Sequence, residues 1–186
     1  MIILASSSPR RKTLMSQITD SFSIYKANID EEKSYNLPYQ EAVKEIALKK
    51  GLAAKKNFPN DIIISADTIV VLDNQIIGKP KNKDDAYRIL KLLSGKRHEV
   101  VTSYTIIHKD KIISKNVSSF VTFNELDDAV IYAYIDSGSP MDKAGAYGIQ
   151  DNDKFPIISS LEGSLNNVVG FPVEEIKKDL KNIYYE

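Results

Sequence analysis

Only four arginines occur in the chain, and two of them, Arg10 and Arg11, stand together directly after Ser6-Ser7-Ser8-Pro9. Proline suits the first position of a helix, and paired cations there oppose the helix macrodipole unless both hold an anion. Hydroxyls, free backbone N–H groups and guanidinium forks are the donors that a chain of phosphates needs. A solvated helix start capped by serine accounts for the same residues. Asp67 directly follows the apolar run Ile62 to Ala66, where an open α/β sheet presents groups to a ligand crevice. A carboxylate in that place can bind Mg²⁺ or orient a water, and it can equally be a turn or capping residue. Glu31 and Glu32 end another apolar stretch and offer a second oxygen ligand for a hard cation, although acidic runs are as a rule solvated loops. Lys79, between Gly78 and Pro80, has its direction restricted by its neighbours, whereas Lys50 sits among many other lysines. Both can neutralise phosphate charge.

Other chemistries lack their residues. His98 and His108 have no neighbouring Asp or Ser in triad order and no HExxH spacing. No GxxxxGK[ST] loop and no GxGxxG after a strand occurs. The absence of cysteine removes thiol nucleophiles, disulfides, iron–sulfur clusters and cysteine-ligated zinc, and fits a reducing compartment. Lys plus Arg and Asp plus Glu are both 25, so no long-range field holds a polyanion, and nucleic acid is not an expected partner. The apolar start is too short for a signal-peptide core, and no run approaches the ~20 apolar residues of a membrane span. With 42% apolar and 27% charged residues, the expectation is a soluble, cytoplasmic globular protein without a membrane partner.

The elements that must position these groups interleave. Residues 1–5 read as a short buried strand, followed by a loop at Ser6 to Ser8 and a helix from Pro9 to about Thr19 with Leu14 and Ile18 on its apolar stripe. Phe22 to Ile29 alternates as a strand. Ala42, Val43, Ile46, Ala47 and Ala53 recur at helical spacing within Tyr39 to Lys56. Asp61 to Ala66 reads as a strand ending in Asp67-Thr68, with Ile69 to Leu72 continuing extended to a turn at Asp73-Asn74 and Gln75 to Ile77 returning. A helix from Asp84 to Leu93, strands at Glu99 to His108 and Ile112 to Phe123, and a helix from Asp127 to Ser137 follow. The glycine-bearing segment after it suggests turns and close backbone approaches before a last helix from about Val173. Strand and helix alternation of this kind predicts an α/β fold with a mixed sheet.

Taken in chain order, Leu4-Ala5-Ser6-Ser7-Ser8-Pro9-Arg10-Arg11, Asp30-Glu31, Ala66-Asp67-Thr68, Gly78-Lys79-Pro80, Ser94-Gly95 with His98, Val100 and Thr102, and Asp142-Lys143-Ala144-Gly145-Ala146-Tyr147-Gly148-Ile149-Gln150 resemble the Maf family of nucleoside triphosphate pyrophosphatases. The resemblance implies a single domain over residues 1–186, with an elongated, curved mixed sheet flanked by helices. It also implies two lobes around a central cleft, as in the inosine triphosphate pyrophosphatases. The implied activity is hydrolysis between the α and β phosphates with a divalent cation, Mg²⁺ or Mn²⁺. Asp67 then corresponds to the catalytic acidic residue and Glu31 to its partner, the two also holding the metal. Ser8, Arg11, Lys50 and Lys79 correspond to groups that grip the triphosphate, and Asp142 and Lys143 belong to the same substrate-binding set. The stretch Asp142 to Gln150 is similar to the branch acting on dTTP and UTP, in which Arg10, Thr68 and Gln150 match positions tied to base choice. One amide, that of Gln150, can both donate to and accept from the edge shared by thymine and uracil. Leu165-Asn166 stands where the family often has aromatic residues. A homodimer is common in the family, and members are associated with arrest of septum formation, so a nucleotide-binding regulator and a 7-methyl-GTP pyrophosphatase are the competing readings.

Overall fold

The computed structural model describes residues 1–184. Their strands form one seven-stranded sheet: β1 (Ile2–Leu4), β2 (Ser23–Ile24), β3 (Ile62–Leu72), β4 (Gln75–Ile77), β5 (Arg97–His108), β6 (Lys111–Phe123) and β7 (Ile158–Glu162). The order is β2-β1-β3-β5-β6-β7, with β4 pairing β3 off that path. β1 runs parallel to β2 and to β3, whereas β3–β4 and β6–β7 are antiparallel, so the sheet is mixed as expected. Asp73 and Asn74 both take positive φ between β3 and β4, the backbone that a tight two-residue hairpin turn demands. The helices are α1 (Pro9–Met15), α2 (Tyr39–Asn57), α3 (Lys83–Leu93), α4 (Asp128–Asp136), α5 (Leu165–Val169) and α6 (Val173–Tyr184).

Several elements differ from expectation, β7 and α5 among them, since both stand in the segment read as turns. α1 stops at Met15, with the following residues in turns. β2 shrinks to two exposed residues, since β1 offers only three positions for pairing. β3 does not break at Asp67 but runs on to Leu72. Asp67 therefore stands within a strand, beyond the last residue of β3 that β1 covers, where Leu4 pairs with Ile64 and the Ala5 N–H reaches the Ile64 carbonyl at 2.8 Å.

The chain divides into two compact units. The first comprises Met1–Thr68, Thr102–Val117 and Gly170–Glu186. Its core sets Ile3, Ala5, Ile63 and Ile107 of the sheet against Ala54 of α2, with Tyr25 and Phe58 packed beside them. α2 buries Ala42, Val43, Ile46, Ala47, Gly51 and Ala54 on one face. Gly51 is small for a reason. A Cβ there would come within 2.8 Å of Ser65 Oγ and 3.1 Å of Ile107 Cδ1, so glycine lets the helix press onto the sheet. Ser65 is fully buried and donates to the Ala47 carbonyl at 2.6 Å, which locks the contact.

The second unit comprises Ile69–Val101 and Ser118–Val169. Its core gathers Ile89, Leu90 and Leu93 of α3, Ile131, Tyr134 and Ile135 of α4, and Val121 and Phe123 of β6. Asn82 and Asp127 cap α3 and α4 by accepting from the N–H groups of Asp85 (2.8 Å) and Val130 (2.9 Å).

Candidate active site

The close approach of α2 to β3 places Lys50, next to Gly51, over Asp67. Its ammonium lies 2.8 Å from Asp67 Oδ1 and 2.9 Å from Glu31 Oε1, bridging two carboxylates that are distant in sequence. Glu31 stands at the start of the 3-10 segment Glu32–Asn36, and Tyr35 of that segment donates to Glu31 Oε2 at 3.4 Å. Burial, then the Asp67 and Glu31 carboxylates, push the Tyr35 phenol above its ordinary range, so it stays protonated as a donor. Lys49 points elsewhere, to the buried Ser34 hydroxyl at 3.0 Å, which pins the 3-10 segment to α2. Asp67 is 8% exposed and has Oδ2 without a hydrogen bond among the described residues. Two converging carboxylates with one cation between them can orient a water, accept its proton, or hold a hard metal ion.

The second group is built around Arg11. Ser8 caps α1 by accepting from the Arg11 N–H at 3.4 Å, and the Ser8 N–H in turn donates to the buried Ser6 hydroxyl at 3.2 Å. At seven residues, α1 has only a short dipole, and the donors here are mainly side chains. Arg11 Nε donates to the Gly170 carbonyl at 2.8 Å and Nη2 to Thr68 Oγ1 at 3.0 Å. Its remaining N–H donors have no partner among the described residues. Burial draws the Arg11 guanidinium below its ordinary range, Asp67 and Glu31 oppose this, and Arg10 adds to it. A half-buried guanidinium held at two of its nitrogens, with N–H donors left over, can take an anionic ligand.

Lys79, His98, Asp142, Lys143 and Gln150 belong to the second unit. Lys79 is exposed, and the Gly78 carbonyl beside it accepts from the Gly145 N–H at 3.1 Å, joining the Gly-Lys-Pro loop to the segment 142–150. Lys143 is turned inward, its side chain 11% exposed, and donates to the Ser139 carbonyl (2.6 Å), Ser139 Oγ (3.1 Å) and Asp142 Oδ1 (2.9 Å). Gln150 is exposed and folds over Gly148, where a Cβ would meet its Nε2 at 2.9 Å and Lys143 Cε at 2.8 Å. The Gly148 N–H donates to Tyr134 Oη at 2.9 Å, and the Tyr134 and Ser139 hydroxyls both donate to Asp151 Oδ2, at 2.7 and 2.6 Å. His98 is a core residue, 2% exposed, with Nε2 2.7 Å from the Tyr147 hydroxyl and Nδ1 without a hydrogen-bond partner among the described residues. Burial lowers its pKa to about 4, so it is neutral at pH 7.

A profile of the family described as Maf-like protein matches residues 1–183. The chain belongs to the Maf-like family. Among the relatives of this Maf-like protein, the dTTP/UTP pyrophosphatase of Thermococcus onnurineus is 43% identical over 178 residues, covering 96% of this chain and 95% of that one. The dTTP/UTP pyrophosphatase of Pyrococcus furiosus is 45% identical over 177 residues, covering 95% and 92%. The dTTP/UTP pyrophosphatase of Clostridium beijerinckii is 41% identical over 186 residues, covering 98% of each chain. The solved structure of the Staphylococcus aureus Ham1 protein superposes with a TM-score of 0.54 at 13% identity, covering 97% of this chain and 98% of that one, a likeness of fold alone. Motif reading of this Maf-like protein assigned no role to Tyr35, Thr102 or Gly170. Thr102 stands in the motif from Ser94 to Thr102 without a role of its own, and Tyr35 and Gly170 owe their place to contacts that no local pattern records.

Proposed function

We propose that this protein is a nucleoside triphosphate pyrophosphatase that hydrolyses dTTP and UTP to the monophosphate and pyrophosphate. The observation that carries the proposal is the Glu31–Lys50–Asp67 bridge, at 2.9 and 2.8 Å, in a chain whose relatives over nearly its whole length bear that name. Asp67 takes a proton from the attacking water as the water oxygen bonds to the α-phosphorus. The bond from that phosphorus to the bridging oxygen breaks, and pyrophosphate leaves with the electron pair. Lys50 aims the Asp67 carboxylate, Glu31 holds the Lys50 ammonium in place from its other side, and Lys50 also faces the charge growing on the leaving group. Arg11 and Ser8 grip phosphate oxygens, and Lys79, Asp142 and Lys143 take part in binding substrate. Arg10, Thr68 and Gln150 select the base.

A divalent cation fits the donor set. No group of three or more candidate ligand side chains occurs among the described residues, so Asp67 and Glu31 would hold the ion with water and phosphate oxygens completing its shell. When bound it supplies positive charge opposite the phosphates and acidifies a coordinated water. No described helix is long and apolar enough to cross a membrane. We take residues 1–186 as one functional domain, since β3, β5 and β6 each contribute residues to both compact units.

The test is pyrophosphate release from dTTP, UTP, CTP, dATP, GTP and 7-methyl-GTP with Mg²⁺. Turnover confined to dTTP and UTP supports the proposal. Turnover of 7-methyl-GTP alone moves the protein to the other branch, and nucleotide binding without turnover of any of them favours a regulator.

A further inference from the structure

Beyond the groups that would touch phosphate, one buried hydroxyl has a specific geometry. Thr102, in β5, is fully buried, and its Oγ1 lies 2.8 Å from Thr68 Oγ1. That same Thr68 oxygen accepts from Arg11 Nη2 at 3.0 Å, and Thr68 Oγ1 stands 3.4 Å from the Gly170 carbonyl, which accepts from Arg11 Nε at 2.8 Å. A guanidinium is a rigid planar fork, so fixing Nε and Nη2 fixes the direction of every other N–H. The Thr68 hydroxyl can hold Nη2 only in the rotamer that turns its oxygen toward Arg11, and its own proton must then find another acceptor. Thr102 Oγ1 and the Gly170 carbonyl are the groups in reach. Gly170 takes φ +120, and a Cβ there would stand 3.3 Å from Thr68 Oγ1, so the close approach is reserved for a residue without a side chain. Thr68, Thr102 and Gly170 are also places where the chain enters or leaves the first unit, and the Arg11–Thr68 pair gathers all three.

We infer that Thr102 is a positioning residue, which fixes the Thr68 rotamer and through it aims the free N–H donors of Arg11 at the pyrophosphate portion of the substrate. This rests on the proposal that Arg11 binds phosphate. Valine at position 102 keeps the β-branched shape and deletes only the hydroxyl, while serine keeps the hydroxyl. The Thr102–Thr68 contact is one neutral hydrogen bond, so its loss weakens anion binding by about five-fold.

The experiment is a double-mutant cycle on the full chain, read by the dissociation constant of inorganic pyrophosphate and by KM and kcat for dTTP. Thr102→Val is expected to weaken pyrophosphate binding and raise KM by about five-fold with kcat nearly unchanged, Thr102→Ser to restore both, and Thr102→Val to add nothing once Arg11 is alanine. If Thr102→Val has no effect, or the same effect with and without the Arg11 side chain, the inference is overturned while the role of Arg11 stands. If Arg11→Ala itself leaves pyrophosphate binding intact, the phosphate-binding assignment of Arg11 fails first and the positioning role goes with it.

Discussion

His98 makes the stability of this protein depend on pH in a window where most carboxylates are silent. The ring is 2% exposed, packs edge-on against Phe123 and Tyr147, and among the described residues its hydrogen-bond partner is the Tyr147 hydroxyl, burial alone moving its pKa. Burial lowers its pKa from 6.5 to about 4. Between those values the unfolded chain binds a proton that the folded protein refuses, so stability is complete above the unfolded value and falls as the pH drops through the window. At ~1.4 kcal/mol per pK unit the full loss is about 3 kcal/mol, of which about 2.5 kcal/mol accrues between roughly pH 7 and pH 4.5. Substitution by glutamine keeps a polar group for Tyr147 and removes the titration. Urea unfolding of wild type and His98→Gln across that range should show the wild-type free energy falling more steeply by about 2.5 kcal/mol, the two curves running parallel above about pH 7. Parallel curves throughout would refute the reasoning, because a histidine that reaches solvent or a counter-charge when protonated carries no such penalty. The loss also bears on the candidate site, since Tyr147 lies within the segment that carries Lys143 and Gln150.

Four further outcomes follow from named contacts. Gly51→Ala drives a methyl into the locked Ser65 hydroxyl, which should cost about 1–2 kcal/mol in thermal or urea unfolding despite alanine's better helix propensity, and should lower kcat by displacing Lys50. Gly170→Ala forces a side chain into a left-handed φ beside Thr68, and about 1–3 kcal/mol of destabilisation together with a raised KM for dTTP is expected from unfolding and steady-state kinetics. Burial alone would raise the Asp179 pKa, but the bonds from Lys115 (2.7 Å) and Tyr104 (2.6 Å) outweigh it and hold the carboxylate below its ordinary range. Stability from that carboxylate is present above the unfolded pKa and disappears as pH falls through the lowered folded one, so Asp179→Asn should destabilise at neutral pH and flatten the acid limb of the unfolding curve. Chelation with EDTA should abolish pyrophosphate release, and Mg²⁺ should restore it.

What the sequence made legible follows from how local each signal is. α2, α3, α4 and α6 carry their apolar faces at helical spacing, and β5 and β6 are long runs divided by the polar turn at Lys109-Asp110, so periodicity alone finds them. β2 and β7 are short and take their definition from pairing with β1 and β6, which no local pattern records. The polarity of Asp67-Thr68 reads as the end of a strand, yet β3 continues, because a strand in the middle of a sheet tolerates polar side chains that find partners in Lys50, Arg11 and Thr102. The motifs carrying Ser8, Arg11, Asp67 and Lys79 stand out by residue type. Lys50 does not, since a single helix presents Lys44, Lys49, Lys50, Lys55 and Lys56, and only the close approach at Gly51 distinguishes the one that reaches Asp67. His98 shows the reverse case, a residue with the right chemistry in a motif that the fold uses for packing.

The most direct test of the account is single-turnover hydrolysis of dTTP by wild type and Asp67→Asn, with dTTP affinity and thermal unfolding measured on the same preparations. Asparagine is nearly isosteric but cannot accept the proton of the attacking water, so the account predicts equimolar dTMP and pyrophosphate from wild type. From the folded, nucleotide-binding variant it predicts a rate lower by a factor on the order of 10² to 10⁴. Undiminished hydrolysis by that variant, or orthophosphate as the first product of wild type, would contradict the central claim.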